Sequence, residues 1–359
     1  MRVLLTGVTG LIGAELAKRL CLQGHTVVGL SRRDAHHLFS GPSEPFAHSY
    51  VDGYDRDAIR LLRGDVAEPS LGVSDDVYRQ LAEQTDLIVH AAAITEFGQP
   101  PAAYERVNVG GTQQILRMAT GGRKIPVLYV STAYVCGFLR GKVSEDKLHL
   151  PQRFGNAYEK SKFLAESYVR AEALSGLPSI IVRPSIVVGA SNDGHIREFK
   201  NIYPALKVLT SGKVTTIPGQ PAATLDLVPW DYVCDIITGI LAAPERSYGL
   251  TFHAVGRQPL TLQDFSDVIA EYPSLRIPRF VPPESFVLDA LPPVEQRYYR
   301  RLVSVYESYF VRQLEFSYEN TRQLMGGHRP PAVKPFLRKV LNHCMSVGFL
   351  NASEAAVAE

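Results

Sequence analysis

Ser131-Thr132 closes the apolar run Pro126-Val127-Leu128-Tyr129-Val130, and Tyr158-Glu159-Lys160-Ser161-Lys162 follows on a predicted helix. A tyrosine and a lysine four apart share one helical face, so an ammonium there is expected to stabilise phenolate and draw its pKa from about 10 toward working pH. A hydroxyl, a phenol and an amine in this order suit delivery of a proton to an oxygen that is gaining negative charge. Spacing alone is a weak signal, since Tyr203 and Lys207 repeat it. That copy has a proline directly after its tyrosine and no Ser/Thr strand end at the proper distance before it, and it lies beyond the regular strand–helix alternation. It is read as coincidence.

The elements that must position this chemistry begin at the first residues. Val3-Leu4-Leu5-Thr6 is an apolar strand running into Gly7-x-x-Gly10-x-x-Gly13 and a helix. Glycines at this spacing let a dinucleotide pyrophosphate approach backbone NH groups at a helix N-terminus, where the peptide dipoles favour negative charge and a Cβ would obstruct. Gly7, Thr9, Gly10, Leu11, Ile12 and Gly13 are the expected cradle. The next strand, Val27-Val28-Gly29-Leu30-Ser31, ends in Arg32-Arg33, where NAD-preferring enzymes usually carry a carboxylate. NADP(H) is therefore expected in preference to NAD(H), a solvated turn being the other reading of the two arginines. Leu62-Arg63-Gly64-Asp65-Val66 ends a third strand at Asp65 and Val66, which are placed to meet the adenine. Leu87-Ile88-Val89-His90 is a buried fourth strand. Its small followers Ala91, Ala92 and Ala93 leave room for ribose and nicotinamide along the C-terminal edge of the sheet.

The 359 residues carry 38 basic and 36 acidic side chains, a net charge of +2, with no long run of one sign. Neither nucleic acid nor an anionic membrane surface is favoured as a partner. Met1 to Leu5 opens like a signal peptide but Thr6-Gly7 interrupts it, and no transmembrane run follows. Cys21, Cys136, Cys234 and Cys344 are scattered without a Cys-x-x-Cys pair, which fits a reducing compartment and argues against a zinc site or disulfide frame. No metal is expected, and the protein is read as cytoplasmic.

Short apolar strands alternate with helical patterns as far as about Val187, the pattern of βαβ units. After Gly189 the rhythm breaks. Residues 190–224 are polar and loop-rich, Leu225 to Ala242 returns to a strand and helix, and Arg276 to Pro293 reads as a surface connection between helices. The expected fold is α/β, a Rossmann-type doubly wound parallel sheet from residues 1–188 and 225–255. A smaller, mainly helical C-terminal substrate lobe is expected from 189–224 and 256–359.

Taken in order, Thr6-Gly7-x-x-Gly10-x-x-Gly13, Ser131-Thr132, Tyr158-x-x-x-Lys162 and Arg183-Pro184-Ser185 resemble the extended short-chain dehydrogenase/reductase superfamily. Gly64-Asp65-x-x-x-Pro69-x-Leu71-Gly72-Val73-Ser74, His90-Ala91-Ala92-x-x-Thr95-x-Phe97, Asn108-Val109-x-Gly111-Thr112 and Asp226-x-Val228-Pro229-x-Asp231-Tyr232-Val233 resemble its thioester reductase branch. That branch includes reductive-release domains of carrier-protein synthetases, carboxylic acid reductases and fatty acyl-CoA reductases. The likeness covers about residues 1–245.

The resemblance implies that Thr132 hydrogen-bonds the substrate carbonyl, that Tyr158 protonates its oxygen as hydride arrives, and that Lys162 binds the nicotinamide ribose and tunes Tyr158. Pro184, Ser185 and Val187 complete the implied cofactor contacts. Asn108 matches a helix asparagine often linked to a water-mediated proton path, and an Asn at a helix start also serves as a cap. A thioester would pass through a hemithioacetal to an aldehyde, and a second round would give an alcohol. With no recognisable phosphopantetheine-attachment motif, the acyl group is expected on a separate acyl or peptidyl carrier protein or on CoA, and the enzyme as a monomer or homodimer.

Arg297, Arg300, Arg301 and Arg312 with Tyr298, Tyr299, Tyr306, Tyr309 and Phe310 fall in one predicted helix. Its arginines could meet a carrier or a CoA phosphate while its aromatics line an acyl cleft; an ordinary amphipathic helix with solvated arginines is the preferred reading. Other readings of the whole chain are a reductase or dehydrogenase for a ketone, aldehyde, sterol-like alcohol or nucleotide sugar, and a cofactor-sensing regulator. Ala133-Tyr134 after Thr132, in place of Asp-Glu, counts against sugar-nucleotide dehydration, and the Tyr158/Lys162 pair counts against the sensor.

Overall fold

The computed structural model describes residues 1–33, 58–146, 148 and 153–350. Residues 351–359, the end of the expected substrate lobe, lie outside it. Seven strands form the central sheet: β1 (Arg2–Thr6), β2 (Thr26–Ser31), β3 (Ile59–Arg63), β4 (Leu87–His90), β5 (Val127–Val130), β6 (Ser179–Pro184) and β7 (Thr251–Ala254). Their spatial order is β3-β2-β1-β4-β5-β6-β7, and every neighbouring pair is parallel.

Both faces of the sheet are covered, which is why its strands read as unbroken apolar runs. Val3, Leu5 and Val89 pack with the helices Leu11–Leu22 and Trp230–Leu241. Leu4, Ile88 and Tyr129, on the opposite face, pack with the helices Gly111–Thr120 and Ala157–Leu174. The chain runs outward from β1 to β2 and β3, then returns to β4 on the other side of β1. The C-terminal ends of β1 and β4 therefore flank the switch point where ligands of open α/β sheets bind. Register sets the neighbours there: Thr6 lies opposite His90, and His90 opposite Tyr129. The three side chains stand in one row on one face of the sheet.

The rest of the chain contains more strand than expected. Gly141–Val143 pairs with Leu314–Phe316, Ile186–Val188 with Leu227–Pro229, Thr216–Pro218 with Arg279–Val281, and Thr224–Leu225 with Leu260–Thr261. The stretch Arg276–Pro293 is thus not only a surface connection, because its Arg279–Val281 finds backbone partners in Thr216–Pro218. The single helix expected over Arg297–Arg312 is also corrected. It is an α-helical turn, Pro293–Tyr298, followed by a wide π-type turn, Tyr299–Val303, and a tight 3-10 segment, Ser304–Phe310, with Arg312 beyond its end. Tyr299, Val303, Tyr306, Tyr309 and Phe310 are buried with Tyr134, Leu209, Ile217 and Phe316 in a second, aromatic-rich core. No helix among the described residues is long and apolar enough to cross a membrane.

Candidate active site

Gly7 has φ +76, and a Cβ on it would meet the Ala91 carbonyl carbon at 2.7 Å; a Cβ on Gly13 would meet the Gly7 oxygen at 2.1 Å. Gly10, whose NH donates to that oxygen at 2.9 Å, is the N-cap of the helix Leu11–Leu22 and supplies no side chain to it. The result is a helix N-terminus with capless NH groups behind a turn stripped of side chains, which fits a dinucleotide pyrophosphate. Arg197, which the sequence reading missed, crosses from the loop region after Val188 to donate to the Thr9 carbonyl at 2.8 Å. It brings a positive charge to the turn.

Arg32 and Arg33 follow β2 and are exposed, with the Ser31 hydroxyl donating to the Arg33 carbonyl. Asp65 is held by a turn in which Ser70 (φ 50) and Leu71 (φ 58) are left-handed; the Leu71 carbonyl accepts from the Asp65 NH at 2.8 Å, and the Asp65 carboxylate accepts from the Ala67 NH. Two consecutive non-glycine residues in that conformation cost roughly 1–2 kcal/mol each, so burial of Leu71 and the bond to Asp65 must hold the turn. The Val66 side chain is buried against Gly111. Ala91, Ala92 and Ala93 form the loop after β4, where the NH of Ala92 donates to the Thr6 hydroxyl at 3.2 Å.

Tyr158 and Lys162 lie on consecutive turns of the helix Ala157–Leu174, whose N-cap Asn156 accepts from the Glu159 NH at 2.9 Å. The Thr132 hydroxyl donates to the Pro184 carbonyl at 3.3 Å and acts on the neighbouring Tyr158 phenol to lower its pKa. Thr132 and Tyr158 come together, but the electrostatics of Tyr158 and Lys162 run against expectation. Burial pushes the Tyr158 phenol well above its ordinary pKa, the Glu159 carboxylate pushes it further, and the bond from Thr132 offsets only part. The amine of Lys162 donates to the Val130 carbonyl at 2.7 Å and stands 4.2 Å from the centre of the Tyr129 ring. Its own pKa is lowered to about 7 by burial, with Glu166 opposing. The expectation that Lys162 draws the phenol down is therefore corrected: desolvation governs both groups.

A stability prediction follows. From about pH 7 to pH 10 the unfolded chain holds a proton on Lys162 that the folded chain lacks, so this residue adds stability as pH rises. Melting of the wild type and of Lys162→Met across that interval should show the difference, wild type minus variant, increasing with pH.

Asn108 is not a cap. It sits in a wide turn, Glu105–Gly110, between two helical segments, where its side-chain oxygen accepts from the Ile94 NH at 2.8 Å and its amide donates to the Ile94 carbonyl and the Ser161 hydroxyl. Ser161 in turn donates to the Tyr158 carbonyl. His90 extends this network. Its Nδ1 lies 2.7 Å from the Thr6 hydroxyl and its Nε2 3.0 Å from Thr112, whose own hydroxyl donates to the Asn108 carbonyl. The proton of the ring therefore sits on Nε2, and burial followed by Lys162 lowers the His90 pKa to about 3. The signal in the sequence was the row Thr6, His90, with Thr112 facing it from the next helix.

Arg183, part of the Arg-Pro-Ser motif, is structural: its guanidinium forks onto Glu166 at 2.6 and 3.1 Å and meets neutral His253 at 3.2 Å. Ser131 donates to the same carboxylate at 2.7 Å, which leaves Thr132 as the hydroxyl beside Tyr158. Ser185 is buried after β6, and Val187 lies in the short strand Ile186–Val188, half-buried against the core. The Tyr203 hydroxyl accepts from the Gly189 NH while Lys207 covers the Phe349 ring, so the second Tyr-x-x-x-Lys pair serves packing.

Over Tyr158 stands an aromatic wall. Phe97 lies 5.7 Å from Tyr158, 5.1 Å from Tyr306 and 5.9 Å from Tyr309 between ring centres. Arg297, Arg300 and Arg301 instead border an open surface hollow with Pro293 and Gln296. Arg312 belongs to neither group: it is buried and paired with Glu159.

Residues 5–237 match the model of an NAD-binding family described as Male sterility protein. The chain is 27% identical over 277 residues to the nonribosomal peptide synthetase asaC of Aspergillus flavus, covering 72% of this chain and 26% of that protein. It is 29% identical over 285 residues to a linear gramicidin synthase of Brevibacillus parabrevis, covering 74% of this chain and 5% of that one. It thus spans about a quarter and about a twentieth of these relatives. Its structure superposes on the terminal R domain from the myxalamid PKS-NRPS biosynthetic pathway with a TM-score of 0.80 and 28% identity, over 98% of this chain and 92% of that one. It also superposes on a thiolation-reductase di-domain from an archaeal non-ribosomal peptide synthetase, TM-score 0.73 and 20% identity, over 98% and 76%; at that identity the likeness is one of fold.

Proposed function

Because this chain belongs to the NAD-binding Male sterility protein family, and with it to the extended short-chain dehydrogenase/reductases, which are NAD(P)-dependent oxidoreductases, we propose that it reduces acyl thioesters at the expense of NADPH. The thioester is borne by a carrier protein or by CoA, and the first product is an aldehyde. The observation that carries this reading is the likeness to a terminal reductase domain over 98% of the chain, together with a phenol and a hydroxyl adjoining under an apolar aromatic wall.

The reduced nicotinamide, when bound, supplies hydride to the carbonyl carbon. Tyr158 gives its phenolic proton to the carbonyl oxygen, and the Thr132 hydroxyl orients that oxygen. The raised pKa of Tyr158 keeps the phenol protonated through neutral pH, the form an acid requires. The hemithioacetal then expels the thiol, its hydroxyl proton passing to sulfur as the C–S bond breaks and the C=O bond re-forms. Lys162 and Asn108 hold the helix and its approach from below, through Val130 and Ser161.

Purified protein is to be assayed for NADPH oxidation against acyl-CoA and acyl-pantetheine thioesters, with free thiol measured in parallel. Thiol release matching NADPH loss is expected. Reduction of ketones or aldehydes with no thioester consumed would replace this reading with a carbonyl reductase.

The choice of NADPH rests on Arg32 and Arg33 at the end of β2. Hydrogen bonds to a charged phosphate contribute about 1.5–3 kcal/mol, so Arg32→Ala with Arg33→Ala should weaken NADPH binding roughly 10- to 100-fold and leave NADH binding unchanged. Nucleotide fluorescence titrations measure both. Equal losses for the two nucleotides would remove the arginines from the 2′-phosphate.

A further inference from the structure

We propose that Arg312 is a positioning residue for Tyr158, gripping Glu159, the next residue in the helix, and tying to it the segment that carries Tyr306 and Tyr309. The inference rests on the reading of Tyr158 as the proton donor. Arg312 is 3% exposed and Glu159 fully buried, and they meet at 2.7 and 3.2 Å in a two-pronged ion pair. The remaining donors of the guanidinium go to the Ser308 carbonyl at 2.8 Å, the Ser308 hydroxyl at 2.6 Å and the Gly137 carbonyl at 3.1 Å. Its central carbon stands 4.6, 5.0 and 5.5 Å from the ring centres of Tyr309, Phe138 and Tyr134. One side chain therefore joins the 3-10 segment Ser304–Phe310, the turn after Thr132 and the first turn of the helix that bears Tyr158.

Two further facts point to a built clamp. Gly155 donates its NH to Glu159 at 2.8 Å, and a Cβ on Gly155 would strike the Arg312 guanidinium at 2.2 Å and the Ser308 hydroxyl at 2.5 Å. The carboxylate is also adjacent to Tyr158 and opposes formation of phenolate there. Thr132, Tyr104, Tyr129, Tyr309 and Glu159 surround the phenol, with Arg312 behind Glu159 and Lys162 one turn farther along. A buried pair of this kind is a poor source of net stability, since desolvation offsets the attraction, whereas removing one partner is costly. Its use is geometric.

The test compares Arg312→Met, Arg312→Lys, Gly155→Ala and the double variant Glu159→Gln/Arg312→Met with Tyr158→Phe, using the thioester or aldehyde that turns over fastest. Melting temperature, NADPH dissociation constant, kcat, KM and the pH profile are read for each. Misplacement of the donor is expected to lower kcat about 10- to 100-fold in Arg312→Met and Gly155→Ala, with NADPH binding unchanged. In the double variant no unpaired charge is left, so the melting temperature recovers while kcat does not. Arg312→Lys, with the charge but not the fork, falls between.

Recovery of kcat along with melting temperature in the double variant would reduce Arg312 to a structural role, and wild-type kcat in Arg312→Met would remove it altogether. Should Arg312→Met fail to fold, Gly155→Ala and the double variant decide. Activity retained in Tyr158→Phe overturns the proton-donor reading itself; loss there with unchanged Arg312 and Gly155 variants overturns only this proposal.

Discussion

Tyr158→Phe is expected to lower kcat about a thousandfold with the NADPH dissociation constant unchanged. The ring keeps its neighbours, Phe97 at 5.7 Å and Tyr104 at 6.4 Å, and the glycine-rich turn is on a different helix, so the lost atom is the hydroxyl oxygen that carries the proton. Burial holds that proton on the phenol through neutral pH, and the wild-type rate should accordingly show no limb due to Tyr158 there. Single-turnover NADPH oxidation and a fluorescence titration of the nucleotide separate chemistry from binding. A loss of less than tenfold would mean that the proton arrives by another route, with the Asn108–Ser161 network as the place to look.

The second large effect is at the other end of the site. Gly13→Ala puts a methyl group 2.1 Å from the Gly7 oxygen and 2.7 Å from its carbonyl carbon, both backbone atoms. Neither can turn aside as a side chain would, so the helix Leu11–Leu22 must move away from β1. Overpacking of this kind costs about 1–3 kcal/mol. The displaced NH groups then lose their aim at a pyrophosphate, and NADPH binding is expected to disappear at concentrations that saturate the wild type. Gly122→Ala is the control: like Gly13 it lies outside the left-handed region, but nothing stands within 4 Å of the added carbon, so it adds the methyl group without the overlap. Denaturant unfolding and nucleotide titration on both variants give the comparison, and saturable wild-type binding by Gly13→Ala would remove the turn from the cofactor site.

Legibility in the sequence followed the distance over which each feature is specified. The glycine turn, the strand–helix alternation and the Tyr158–Lys162 face are set by residues within one or two helical turns, and the sheet is assembled as that alternation predicts. Arg312 was misread for the opposite reason. It follows a run of arginines and tyrosines on a helix, and nothing near it in the chain reveals that Glu159, 153 residues earlier, is its partner. The same holds for His90, whose tautomer depends on Thr6 and Thr112 converging from two other elements. For Asn108 the alternative reading as a cap fails, because a wide turn inside a helix leaves no periodic trace. The direction of the Tyr158 shift was missed because a helical wheel counts the lysine one turn away but not the solvent that folding removes.

Between Pro293 and Phe310 the chain passes from α-helical to wide to tight winding without a break. In the tight stretch residues three apart eclipse one another, and that eclipse lets Tyr306 and Tyr309 both reach Phe97. The contour above Tyr158 is therefore a matter of helical phase as much as of side-chain identity. One residue added to or removed from the wide turn would rotate both rings away from Phe97 while leaving every residue around Tyr158 and Gly7 in place. The contour above Tyr158 can thus diverge through chain length alone, in a segment that a comparison of the residues around Tyr158 and Gly7 would score as unchanged.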